Sequence, residues 1–214
     1  MNIAPLVAGS IVTLIGSLVF ASMSGESGDA EEQQAMPSEG DEVAVMETSQ
    51  GRIVLMFFRE TAPRHVDNFK ILAKQGFYDG TRFHRTIKGF MIQAGDPNSK
   101  DLGKSATWGT GGNADEEGRE INIPAEFSDI KHVRGVLSMA RSSNPDSASS
   151  QFFIMHADYP SLDGQYSAFG RVITGMAVVD KIAEMPTGPN GSVGPEKAVV
   201  ITSVKIEAWP LADD

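Results

Sequence analysis

Residues 83–96, Phe-His-Arg-Thr-Ile-Lys-Gly-Phe-Met-Ile-Gln-Ala-Gly-Asp, set one permanently charged guanidinium, Arg85, among large apolar side chains and an amide, Gln93. That combination suits an uncharged, partly apolar substrate whose polar atoms need a directional donor. Alternate residues of a strand share a face. Phe83, Arg85 and Ile87 are therefore expected to point one way, with Met91 and Gln93 a second same-face pair beyond the Lys88-Gly89 turn. Arg85 would then overlook a pocket with apolar walls. The same periodicity fits an antiparallel hairpin whose Phe, Ile and Met side chains are ordinary core and whose arginine is a solvated edge charge.

Other chemistries find little support. The chain has no cysteine, which excludes a thiolate nucleophile, a thiolate zinc site and a lipidated N-terminal cysteine. His65, His84, His132 and His156 show no metal-ligand spacing, and no His-Glu-x-x-His occurs. The serine-rich stretch 142–150 has no Gly-x-Ser-x-Gly elbow and reads as turn-forming sequence. Gly109-Thr110-Gly111-Gly112 lacks the Gly-Lys-Ser/Thr ending of a phosphate cradle. The formal net charge of −10 offers no basic stripe to neutralise phosphates, so nucleic acid is set aside as a partner.

Three further stretches bear on the hairpin: Val136-Leu137-Ser138-Met139-Ala140-Arg141-Ser142, Ser149-Ser150-Gln151-Phe152-Phe153-Ile154, and Leu162-Asp163-Gly164-Gln165-Tyr166-Ser167-Ala168-Phe169-Gly170. Taken with residues 83–96 and in this order, they resemble the cyclophilins, the peptidyl-prolyl cis-trans isomerases, from about residue 43 to about residue 207. Ser-Met-Ala-Arg-Ser and Tyr166 are similar to the bacterial branch of that family. The resemblance implies a mainly β fold, a closed eight-stranded antiparallel β-barrel capped by two α-helices, with a packed interior and the site on its outer wall. It implies no cofactor and a non-covalent mechanism in which Arg85 and Gln93 are catalytic. Phe90, Met91, Phe153 and Leu162 would wall a proline cavity, closed by Tyr166 where many eukaryotic relatives carry His. Gln151 and the backbone at Ala140 and Arg141 would hold the peptide, and Thr110 and Gly111 would border a shallow second pocket. Ser161 stands where those relatives have a Trp important for cyclosporin, so weak cyclosporin binding is expected. A module that grips proline-containing segments without turnover would use the same cavity. Such a binder need not keep both Arg85 and Gln93, and both are present.

The elements that must position these residues follow from periodicity. Runs 43–48 and 52–58 are β-rich and joined by Ser49-Gln50-Gly51, a hairpin signal. Thr61 offers an N-cap with Pro63 in the first turn, and Val66, Phe69, Ile71 and Leu72 recur at helical spacing until Gly76. Runs 134–140, 151–156, 168–173 and 199–207 read as strands, and 176–185 as a helix ended by Pro186. Residues 97–120 form a polar, glycine-rich loop, longer than is usual inside a compact domain.

The N-terminal part is organised differently. Residues 1–25 carry no charged side chain, and the largely apolar run 3–20 is just long enough to span a hydrocarbon core as a helix. Residues 1–23 are therefore expected to be a signal peptide or a membrane anchor, and the protein to be exported, periplasmic or extracytoplasmic. Residues 24–42, rich in Gly, Glu, Ser and Gln, are expected to be an acidic disordered linker that holds a monomeric isomerase domain, 43–214, off the membrane.

Overall fold

The computed structural model describes residues 28–212. The expected membrane segment, 1–23, lies outside the described residues. Among the described residues no helix is long and apolar enough to cross a membrane.

Eight strands form one curled antiparallel sheet: β1 Glu42–Thr48, β2 Gly51–Phe57, β3 Arg85–Ile87, β4 Met91–Ala94, β5 Val136–Met139, β6 Phe152–Met155, β7 Ala168–Thr174 and β8 Ile201–Ala208. Their order is β3-β4-β6-β5-β7-β2-β1-β8. The expected closed barrel is thus replaced by an open, curled half-barrel whose edge strands are β3 and β8. The edges approach through loop backbone rather than through a ladder: Gly80 N donates to Ile201 O at 2.8 Å, Ile201 N to Thr81 O at 2.8 Å and Phe83 N to Val199 O at 3.0 Å. The seam runs from Gly80 to Phe83 and stops short of β3, Arg85–Ile87. Its free edge is covered instead by the 190–193 loop, with Val193 N donating to His84 O at 3.0 Å.

Period-two alternation explains how one sheet serves both a core and a site. On β4 and β6 the side chains of Ile92, Ala94, Phe152 and Ile154 enter the interior core with Leu137, Met139 and Phe169. Met91, Phe153 and Met155 face outward into a second apolar cluster, with Ile87, Phe90, Ala140, Leu162 and Tyr166 packed against it. One expectation fails here. Phe83 joins the interior core, whereas Ile87 belongs to the outer cluster. Strand alternation begins only at Arg85, and Phe83 sits in the irregular seam where a two-residue period does not hold.

Two helices pack against the sheet. α2, Pro63–Lys74, buries Val66, Phe69, Leu72 and Ala73. α3, Met176–Ala183, buries Val179, Ile182 and Ala183. Thr61 does not cap α2 as expected; the N-cap position is Ala62, without a side-chain bond. Glu126, 62 residues away, accepts instead from Arg64 N at 3.2 Å and His65 N at 3.1 Å, satisfying first-turn donors and placing a negative charge at the positive helix end. The Thr61 hydroxyl bonds to Glu32 and Asp29.

Those two acids belong to a helix where a disordered linker was expected, α1, Gly28–Gln34. Gln33 clasps the backbone of Lys131 in both directions, Nε2 to O at 2.8 Å and N to Oε1 at 3.1 Å. Arg171 Nη2 donates to Ala35 O at 2.6 Å. Polar residues that favour solvation in isolation are here used as side-chain acceptors for domain backbone, which composition does not reveal.

Candidate active site

The hairpin of β3 and β4 places Arg85 directly opposite Gln93, and β6 sets Phe153 opposite Gln93 on the other side. Arg85 Nη1 donates to Gln93 Oε1 at 3.2 Å. Gln93 Nε2 donates to Gln151 Oε1 at 2.9 Å, and Gln151 Nε2 to Gly111 O at 2.7 Å. This relay orients each amide by its neighbour and ends on the loop that carries Thr110 and Gly111. The Arg85 Nε donates to Asn190 O at 3.0 Å. A guanidinium has five N–H donors. Two are used in these bonds, and the head is fixed from two directions.

Arg85, Phe90, Met91, Gln93, Ala140, Arg141, Phe153, Leu162 and Tyr166 surround a cavity of about 100 Å³. Its floor is rigid. Phe153 packs edge-on against Tyr166 with ring centroids 5.6 Å apart, and the His132 ring stacks on Phe153 at 6.2 Å. His132 is itself held by Ser138 Oγ, 3.0 Å from its Nε2, and its backbone N donates to Asp163 Oδ1 at 2.7 Å. Partial burial lowers the Arg85 pKa below its ordinary value, with the Tyr166 hydroxyl acting in the opposite sense. An arginine so shifted still carries its charge at neutral pH.

A second cleft of about 260 Å³ adjoins the cavity. Gln93, Ala140 and Arg141 line both, while Thr110, Gly111, Glu120, Ser142 and Gln151 line the cleft alone. Gly111 keeps the cleft close-packed there, because a Cβ would make the Asp96 carboxylate and, at 2.9 Å, the Asn98 amide shift. Arg141 lies over the Tyr166 ring, its Cζ 4.5 Å from the centroid. It donates from Nη2 and Nε to Gln165 O at 2.8 and 3.1 Å.

The twelve residues singled out from the sequence therefore line this cavity and cleft together. Others escaped. Asn190 holds Arg85 through its carbonyl from 105 positions away, on a turn where its own φ is +57°. The signal was the run Pro189-Asn190-Gly191, which marks a tight turn but not what lies against it. Glu120 and Ser147 carry no motif at all. Trp108 stays outside the cavity, its Nε1 donating to Asp101 O at 3.1 Å within its own loop.

Comparison with known proteins settles the family. Residues 43–206 match the family described as cyclophilin type peptidyl-prolyl cis-trans isomerase/CLD. The chain belongs to the cyclophilins. It is 41% identical over 174 residues to the probable peptidyl-prolyl cis-trans isomerase of Brucella abortus, covering 79% of this chain and 86% of that one. It is also 41% identical to the peptidyl-prolyl cis-trans isomerase CYP18-1 of Arabidopsis thaliana, covering 78% of this chain and 97% of that protein. A crystal structure of a Cryptosporidium parvum cyclophilin, solved in the presence of the dipeptide Ala-Pro, superimposes with a TM-score of 0.66 at 31% identity, over 78% of this chain and 99% of that one. This cyclophilin is a peptidyl-prolyl cis-trans isomerase, and its mainly β architecture is that of its relatives.

Proposed function

We propose that this cyclophilin accelerates X-Pro rotation in flexible protein segments by donating a hydrogen bond from Arg85 to the proline nitrogen. The observation that carries the reading is the doubly anchored guanidinium beside an apolar cavity. Amide resonance sets a barrier of roughly 18–20 kcal/mol, and rotation breaks that resonance. At the twisted state the nitrogen regains lone-pair character, so a donor aimed at it stabilises that state more than either planar one. Neither nucleophile nor metal is needed.

Phe90, Met91, Phe153, Leu162 and Tyr166 would grip the ring apolar face to apolar face while the preceding carbonyl swings. Gln93, fixed by Gln151, would steer that carbonyl and hold Arg85. Gln151 and the backbone at Ala140 and Arg141 would hold the chain ahead of the proline, running past Thr110 and Gly111. Cyclosporin should bind weakly, because Ser161 offers no indole; nanomolar affinity by calorimetry would contradict this.

Membership of the bacterial branch, export, and attachment through residues 3–23 belong to the same proposal, supported by Tyr166 and by the uncharged apolar N-terminus. Fractionation of the full chain would test the last point: recovery only in the cytosol would end it. Turnover is tested with an Ala-Pro peptide in large excess over protein, following the two isomers by exchange spectroscopy. Catalysed exchange at substoichiometric protein is expected. Binding without acceleration would leave a proline-segment holdase.

A further inference from the structure

Arg85 and Arg141 both line the proline cavity, and no acidic side chain lines it. Among the described residues neither guanidinium has a carboxylate within 4.0 Å, in contrast to Arg52, Arg119 and Arg134, which all pair with acids. Among the described residues Arg141 is anchored by neutral groups alone, the carbonyls of Gln165 and Ser142 and the face of Tyr166. Its position is thereby fixed without neutralising its charge. In a chain of net charge −10, that leaves the substrate cavity locally cationic.

Arg141 also lines the adjoining cleft. A peptide that runs from cleft to cavity must cross it, so it meets the residues just ahead of the proline. We infer that Arg141 is a specificity-determining residue that selects proline segments carrying a carboxylate immediately before the proline. Only Glu120, on the cleft side, opposes that attraction among the residues lining either hollow. The inference rests on the isomerase reading above but not on the role of Arg85.

The test compares kcat/KM of the full chain on three peptides that differ only before the proline, Ala-Glu-Pro, Ala-Gln-Pro and Ala-Lys-Pro. The Glu peptide should be preferred over Gln by about threefold to fivefold, the size of one partly exposed ion pair, and Lys should rank last. The preference should shrink toward one as salt rises and screening shortens. In Arg141→Gln the Glu/Gln ratio should fall to about one whatever happens to the rate on the Gln peptide, because the ratio cancels any general loss. Glu120→Gln should raise the ratio, which keeps the idea open to refutation if Arg141→Gln fails to fold. Equal rates on all three peptides in active wild-type protein overturn the specificity claim. No turnover of any peptide overturns the isomerase reading on which it depends.

Discussion

At the scale of single residues, the site depends on direction more than on charge. Arg85 has two anchors, and Gln93 is the one that is itself anchored, through Gln151 to Gly111. Gln93→Leu removes an acceptor for Arg85 and a donor for Gln151 at once. It is expected to lower kcat/KM by about tenfold, roughly 1.4 kcal/mol, while a thermal melt shows little change, since Gln93 is only half buried. Unchanged kcat/KM would mean that the relay does not steer the arginine. The resemblance to the cyclophilins pointed to this pair, whereas hairpin periodicity alone fitted a solvated edge arginine as well; the register that sets Arg85 opposite Gln93 came with the fold. Asn190 was not legible in the sequence, because a carbonyl has no side-chain signature and its approach to Arg85 is a product of tertiary folding.

At the scale of elements, local signals gave the strands and helices but not the bonds that fix their ends. Glu126 serves as cap for α2 across 62 positions, a role the local pattern assigned to Thr61. Glu126→Ala should destabilise the fold by at least about 1–2 kcal/mol in urea unfolding, the usual worth of a helix cap, since it also removes the partner 2.7 Å from buried His65 Nδ1, with kcat/KM retained. Gly95, which follows β4, has φ +88°, and a Cβ there would collide with the Ser150 carbonyl oxygen beside Gln151. Gly95→Ala is therefore expected to cost about 1–3 kcal/mol of stability and to lower activity as well, because it displaces the segment that carries Gln151. An equally stable variant would show that the backbone yields more easily than the packing implies. The sequence places a glycine at this position without saying why. Only the fold shows which carbonyl it accommodates.

At the scale of the whole molecule, the curled sheet separates an interior core from an outer apolar face, and stability resides in the first. Phe152 is fully buried, with ring centroids 5.5 Å from Phe69 and 5.6 Å from Tyr78. Phe152→Ala should cost about 3–5 kcal/mol by chemical denaturation. Stability should also depend on pH. Burial is the largest cause lowering the pKa values of His65, His84 and His132 below the ordinary 6.5. The unfolded chain then binds more protons than the folded one just below pH 6.5. Stability is fully present above that pH and falls as pH drops toward the folded values, by up to about 1.4 kcal/mol per pH unit for each ring. Urea midpoints at pH 7.5 and 5.5 check the sign, and a higher midpoint at 5.5 would contradict it. Legibility changes again at this scale. Strand count and order of elements follow from alternation and turn residues, but the open seam between β3 and β8 does not. There the 80–83 loop meets β8 and residues 190–193 occupy the edge of β3, a long-range event that no local pattern encodes.

The central claim is that the Arg85 guanidinium stabilises the twisted amide, and the most direct measurement is kcat for Arg85→Ala and Arg85→Lys on an Ala-Pro peptide, each shown by its melt to be folded. Arg85→Ala should lose at least about tenfold, 1.4 kcal/mol of transition-state stabilisation, with only slight recovery in Arg85→Lys, because an ammonium lacks the planar fork that Gln93 and Asn190 orient. A folded Arg85→Ala protein with wild-type kcat would contradict the claim, and would leave the cavity as a binding surface whose catalysis comes from elsewhere.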